Sequence, residues 1–461
     1  MTKQETVIQY ITDNYLNFNT LRHDIVSDKL QIRMEKPTPN PSLKRGEYGA
    51  EQKSFPLGVD LGVATVWREM TKHDINSIVC HCAQEYNANI TSREVMTALQ
   101  SDLIPDVHPL REYILSLHPY TSDQPDWIDL VASQVRIADS ASDNEKGSNG
   151  SKSSKGESAV ETYRTSRTPS TKADALWRIC FKKWFVAMVA SWMKDEVVNH
   201  QVLVLIGKQG IYKTTWLEHL IPPHLRAYAC KLANSNDLNK DERLRIAEFG
   251  LISLDEIDSM NNRELNQLKS VITATDINER AAYAYTKERR MRLASFCASG
   301  NRRDFLTDIT GNRRWLPFEV ESIQNPFYTT LPYDLIYAQA WTLAQDPTFS
   351  YWFELDEIDL LEQHNQHFRD ESNEEQLLDV YFAVPSEGAS NTKFLTTAEI
   401  SERLIYYGNI KRPLSLSRLG VLLSQKGFLS IRKGSPQRRG WVVYERDNEE
   451  INAERRILSK T

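Results

Sequence analysis

The chain has 461 residues and a net charge of −6, too long for one compact core and consistent with roughly two to four domains. Its composition is that of an ordinary soluble protein, no apolar run nears the length that spans a bilayer, and Met1-Thr-Lys-Gln-Glu-Thr6 lacks the charged-then-apolar order of a signal peptide, so a cytoplasmic location is expected. The five cysteines (Cys80, Cys82, Cys180, Cys230 and Cys297) are scattered, and Cys80-His-Cys82 has the wrong spacing for zinc with no second pair, so buried, reduced thiols are expected.

Residues 1–137 read as a first, mostly helical accessory unit. Thr20–Met34 alternates polar and apolar side chains (Leu21, Ile25, Leu30, Ile32, Met34), which predicts a short hairpin. After a polar stretch from Glu35 to Phe55, helical spacing takes over from about Val59, through Leu61, Val66 and Met70, then over 75–83 and 92–103. Asp106–Leu117 reads as a capped amphipathic helix with Leu110, Tyr113, Ile114 and Leu117 on one side. No acidic cluster suited to a polymerase or primase metal site occurs here. Residues 138–170 are mainly Ser, Gly, Lys, Asp and Glu, a composition that buries too little surface to offset chain entropy, and they are expected to form a disordered linker.

Thr171–Trp192 carries Trp177, Phe181, Trp184, Phe185, Met188 and Trp192 at helical spacing, which predicts a helix packed into a core rather than a cofactor box. It leads into Val202–Ile206, an apolar, β-branched run of strand length that reads as a strand buried on both faces. Gly207 and Gly210 then punctuate a tight loop, and Lys213-Thr-Thr215 opens a second amphipathic helix. Strand, glycine-rich loop, Lys-Thr and helix form the geometry that wraps a nucleoside triphosphate. Gly207, Gly210, Ile211, Tyr212, Lys213, Thr214 and Thr215 are therefore the candidate ATP-binding residues. Backbone N–H groups would cradle the phosphates, Lys213 would reach the β/γ oxygens, and Thr214 would hold Mg2+ with Thr215 behind it. Tyr212 stands where glycine is usual, close to the phosphates.

Leu251–Leu254 is another apolar strand and ends in Asp255-Glu256. Asp255 would position the Mg2+ shell and Glu256 would polarise the attacking water. Next, Arg280–Arg292 interleaves bases with tyrosines. Arg280, Lys287, Arg289 and Arg290 are candidate contacts to single-stranded DNA, the alternative being a solvated hairpin whose charges keep it soluble. A third strand, Leu293–Ser299, ends at Gly300-Asn301, where Asn301 could sense the γ-phosphate if this strand lies between the first two. Arg313 and Arg314 follow as candidate arginine fingers toward a neighbouring subunit, or as a structural pair on a solvated turn. Together these motifs predict an α/β P-loop NTPase core, a parallel sheet flanked by helices, over 171–330, with a helical subdomain over 331–370.

In 371–461, Phe394–Leu404 and Ser415–Leu423 read as helices, followed by a hairpin formed by Phe428–Lys433 and Gly440–Glu445. Helix, helix and two-stranded wing predict a winged-helix-like domain. Its basic tip, with Lys433, Arg438 and Arg439, is a candidate duplex-DNA contact.

Gly207-Lys-Gln-Gly-Ile-Tyr-Lys-Thr-Thr-Trp216, Leu254-Asp-Glu256, Gly300-Asn301 and Thr310-Gly-Asn-Arg-Arg-Trp-Leu-Pro317 together resemble the virulence-associated protein E family. These are AAA+-like ATPases similar to superfamily 3 helicases, carried by phages and mobile elements of bacteria. His108-Pro-Leu-Arg-Glu-Tyr-Ile-Leu-Ser-Leu117 is similar to the segment preceding that family's ATPase domain, and the C-terminal unit to an extra domain in versions from Bacteroides-type bacteria. The resemblance implies a homo-oligomer, a hexameric ring translocating on DNA with ATP sites between subunits. A regulatory or defence ATPase that assembles without unwinding, and a DNA-binding ring with weak nucleotide use, stay open beside it.

Overall fold

The computed structural model describes residues 2–34, 66–138, 171–232, 245–279, 288–306, 312–369, 373–386, 392–408, 415–434 and 437–458. The chain divides into two compact units, one of residues 1–256, 263–299 and 318–353, the other of residues 257–262, 300–317 and 354–461.

The first unit begins with helix α1 (Lys3–Ile11), strands β1 (Leu21–Asp24), β2 (Lys29–Met34) and β3 (Val66–Glu69), helices α2 (Lys72–Tyr86) and α3 (Ser92–Leu99), and strand β4 (Asp106–Val107). The expected hairpin is present, with Leu21 opposite Ile32 and Asp24 opposite Lys29. Helix predominates in this region, and beside the helices four strands form a sheet in the order β3-β2-β1-β4. Val66–Glu69, expected as part of a helix, pairs antiparallel with β2, since that edge of the hairpin needs partners for its N–H and C=O groups. The Arg22 guanidinium lies 4.0 Å over the Trp67 ring and fixes the strand further. Thr2, Thr71 and Thr91 close capping boxes on α1, α2 and α3, so each helix starts at a threonine with an acidic partner three residues on. Cys82, Cys180 and Cys297 are buried as expected, whereas Cys80 is exposed.

The chain continues through α4 (Pro109–Ser116), α5 (Trp127–Ala132), β5 (Val135–Ile137), α6 (Lys172–Met193), β6 (Val202–Ile206), α7 (Lys213–Glu218), β7 (Ala229–Leu232), β8 (Leu251–Leu254), α8 (Asn262–Thr273), β9 (Asp276–Glu279), β10 (Glu288–Met291), β11 (Ser295–Gly300), β12 (Trp315–Ile323) and α9 (Tyr333–Gln345). Six strands make one sheet in the order β5-β12-β6-β11-β8-β7. β11, β8 and β7 run parallel, and β5 closes the edge antiparallel to β12. The strand before the loop motif, β6, is buried at all five positions. β11 lies between β6 and β8, the placement the sensor reading needed.

Helix α6 is buried over most of its length because it serves two partners. Toward the sheet, the Trp184 indole N–H donates to the Phe296 carbonyl at 3.1 Å and that of Trp192 to Gly250 at 3.0 Å, so these rings need their polar edge as well as their area. On α9, Tyr337 stacks on Trp192 and meets Phe185 edge-on. The aromatic stripe is core.

The second unit contains α10 (Leu355–Asn365), α11 (Asn373–Tyr381), β13 (Phe382–Ala383), β14 (Thr392–Leu395), α12 (Thr397–Gly408), α13 (Leu416–Gln425), β15 (Leu429–Lys433), β16 (Arg438–Glu445) and α14 (Asn448–Leu458). β16 pairs with β13, β14 and β15 in turn, so two helices are followed by a hairpin as expected. Leu378, Ile400, Leu404, Leu419, Leu422, Leu423, Trp441 and Val443 form its core. Burial alone would raise the Glu445 carboxyl, but Lys393, Tyr407 and Arg403 around it prevail and draw it down to about 2.

Candidate nucleotide site

The phosphate loop joins β6 to α7. Gly207 is required by space: a Cβ there would stand 2.7 Å from the Val320 carbonyl oxygen of the neighbouring β12. Gly207→Ala must push two core strands apart and is expected to cost about 1–3 kcal/mol. A urea midpoint unchanged from wild type would refute this. Gly210 takes φ 85°, which glycine adopts freely.

Tyr212 has φ 69° and ψ 18°, left-handed backbone at the N-cap of α7. This explains why glycine is usual at that position, and why tyrosine there carries strain on the order of 1–3 kcal/mol. Among described non-glycine residues, positive φ occurs at Asn19, Asp28, Asn87, Tyr212 and Glu256. Asn and Asp tolerate it readily; Tyr212 and Glu256 do not. The two side chains of that set without an Asx rationale thus sit on the two motifs assigned to phosphate and water.

Lys213 is 7% exposed, and its ammonium donates to the Gly207 and Lys208 carbonyls, both at 2.7 Å. It is folded into the loop it would use to grip phosphate. One residue on, the Thr214 hydroxyl lies 3.3 Å from Asp255 Oδ1 and donates to the Ser299 hydroxyl at 2.9 Å. Ser299 donates to the same Asp255 oxygen at 2.8 Å. The Lys231 ammonium holds the other carboxylate oxygen at 2.7 Å. Burial works against the Asp255 charge, but Lys231, then Ser299 and Thr214, outweigh it and keep the carboxyl below its ordinary range. Asp255 is therefore ionised at neutral pH. A threonine hydroxyl beside an ionised carboxylate is a hard oxygen set suited to Mg2+, and Lys231 supplies positive charge to that carboxylate.

Sequence reasoning missed Ser299 and Lys231. Ser299 was within reach, being the last residue of the strand before the Gly300-Asn301 pair to which the sensor role was given. Lys231 carried no signal. Asn301, Arg313 and Arg314 belong to the second unit, the arginines on the single turn Asn312–Arg314 before β12. Thr215 lies on the first turn of α7, its carbonyl hydrogen-bonded to His219 Nδ1 at 2.7 Å. Ile211 is part of the loop and half-buried.

Arg280 and Lys287 lie outside the described residues. Arg289 and Arg290 are on β10, which pairs antiparallel with β9 in a two-stranded stem. Arg289 is bound to Asp276 across that stem, with Nε at 2.9 Å, and Arg290 to Asp28 at 2.9 Å and Glu248 at 3.7 Å. On the C-terminal hairpin, Lys433 stands opposite Arg438 and Arg432 opposite Arg439, all four exposed. Like charges facing across a ladder repel, so the four cations concentrate positive potential at this tip. The exposed positions of α13 are Leu416, Ser417, Val421, Ser424 and Gln425, none of them cationic.

Residues 152–370 match the family model of the virulence-associated protein E-like domain. No curated protein matches the chain in sequence. Among solved structures, the chain is similar to "The apo structure of NrS-1 C terminal region (305-718)", with 10% identity, 96% of this chain and 100% of that chain covered, and a TM-score of 0.39. Another structure, "The A form apo structure of NrS-1 C terminal region-CTR(305-718)", matches at 9% identity over 92% and 96% of the two chains, again at a TM-score of 0.39. Among the described residues no helix is long and apolar enough to cross a membrane.

Proposed function

We propose that this chain is an ATP-hydrolysing motor that acts on DNA in the replication of a phage or other mobile element. The observation that carries the reading is the convergence of Thr214, Asp255 and Ser299 beneath the loop that holds Lys213. Two strands and a helix N-terminus, far apart in sequence, deliver one acid, two hydroxyls and one ammonium to one place. Thr214 and Asp255 are the residues that would hold Mg2+, whose contribution is to neutralise charge on the β- and γ-phosphate oxygens. Lys213 would exchange its two loop carbonyls for phosphate oxygens. Glu256, exposed and held in left-handed backbone, would orient the attacking water. The match to the virulence-associated protein E-like domain supports the mobile-element context. Ring assembly, a hexamer with Arg313 or Arg314 completing a neighbour's site, belongs to the same reading.

DNA would be met at two places, by the hairpin of β9 and β10 and by the basic tip of the C-terminal, winged-helix-like unit. The acidic partners of Arg289 and Arg290 favour a second reading, an ATPase switch that does not thread DNA. Phosphate release and unwinding of a forked duplex, measured with and without single-stranded DNA, separate the two. Stimulated hydrolysis with unwinding supports the motor; hydrolysis indifferent to DNA supports the switch. No hydrolysis under either condition refutes both.

A further inference from the structure

The departure at Tyr212 has a partner. Its hydroxyl accepts a 3.4 Å hydrogen bond from Asn325 Nδ2, and its ring meets Phe327 edge-on with centroids 6.4 Å apart. Asn325 also shapes the turn after β12. Its Oδ1 accepts the Phe327 N–H at 3.0 Å, and its carbonyl accepts the Tyr328 N–H at 3.1 Å and the Thr329 hydroxyl at 3.2 Å. The buried Pro326 anchors this turn, yet it presents Phe327 70% exposed and Tyr328 89% exposed. Phe327 also lies edge-on to His219 at 5.8 Å, one helical turn beyond Thr215. Two large aromatics are thus pinned in water beside a phosphate loop by a residue that simultaneously holds the loop's strained tyrosine.

The strand order says which end of a nucleotide would meet them. Thr214 faces Asp255 just past β8 and Ser299 on β11, so the γ-phosphate end would lie on that side of β6. Gly207 abuts β12 on the opposite side, and the Asn325–Tyr328 turn follows β12. A triphosphate laid along the loop points its base toward this turn.

We infer that Phe327 and Tyr328 form the base-binding half of the nucleotide site and stack on the purine ring, with Tyr212 and Asn325 positioning them. This deepens the ATP-binding reading and rests on it. Under it, Tyr212 is a component of base recognition rather than a damaged glycine position. The backbone strain at Tyr212 is tolerated because its side chain braces the aromatic turn.

The test compares ATP with inorganic tripolyphosphate by titration calorimetry at fixed Mg2+, on wild type and on Phe327→Ala with Tyr328→Ala. Base stacking of this kind predicts a roughly tenfold or greater loss of ATP affinity. Tripolyphosphate affinity and melting temperature should stay at wild-type values, since both side chains are exposed. Phe327→Trp should retain ATP affinity. Unchanged ATP affinity in the double variant overturns the inference, as does an equal loss for both ligands. Loss of self-association with unchanged ATP affinity also overturns it, assigning the face to a neighbouring subunit. Wild-type protein that binds neither ligand refutes the phosphate-loop reading itself, and this inference with it.

Discussion

Lys213→Ala is expected to lower ATP affinity by about two to four orders of magnitude. The ammonium would make charge-assisted hydrogen bonds to the β- and γ-phosphates, worth about 1.5–3 kcal/mol each, and the two together give a loss of that size. The change also has a cost without nucleotide, because the Gly207 and Lys208 carbonyls lose their 2.7 Å donor. Melting curves of the nucleotide-free protein measure that cost separately from binding. Glu256→Gln should behave differently. The amide keeps the size and the left-handed backbone (φ 52°) but cannot take up a proton, so ATP binds and turnover falls by about 10²–10⁴. Calorimetry and phosphate release distinguish the two variants. If Lys213→Ala binds ATP within about threefold of wild type, the loop does not grip phosphate in the way proposed.

Which parts of this were legible in sequence follows from how far apart the interacting residues lie. The β6 strand, the loop and the start of α7 are consecutive, and their apolar run, glycines and Lys-Thr signal each other locally. The aromatic helix was legible because its repeat is long. Strand Val66–Glu69 was not, since four residues carry no period and its register comes from β2. Ser299 reaches Thr214 across 85 positions, and Asn325 reaches Tyr212 across 113. No local pattern announces either. Tyr212 was visible as an exception, but the reason for it lay in a distant turn. The same limit applies to charge: Arg290 reads as a free base until the fold brings Asp28 to it from 262 positions away.

Arg292 is the sharpest case, and it yields the second large effect. It closes the basic stretch assigned to DNA, yet it is 2% exposed. Its Nε donates to the Ala294 carbonyl at 3.0 Å and its Nη2 to Asn199 at 2.7 Å, while Nη1 donates to Ile272. The guanidinium lies 5.0 Å from the centroid of the Phe296 ring. One planar fork therefore joins β11, the end of α8 and the approach to β6. Lysine, with a single nitrogen, cannot reproduce that geometry. Arg292→Ala takes the donor from the Ala294 and Asn199 carbonyls, while Ile272 keeps His200 Nδ1 at 3.2 Å; at about 1–3 kcal/mol for each of the two, it should destabilise the protein by roughly 2–6 kcal/mol. Arg292→Lys should recover only part of that. Arg289, with its side chain 71% exposed and its pair to Asp276 in solvent, should cost no more than about 1 kcal/mol when changed to Ala. Urea unfolding of the three variants reads these differences directly, and single-strand DNA binding at low salt is the independent check. An Arg292→Ala protein that unfolds at the wild-type midpoint but has lost DNA affinity would return this residue to the nucleic-acid surface.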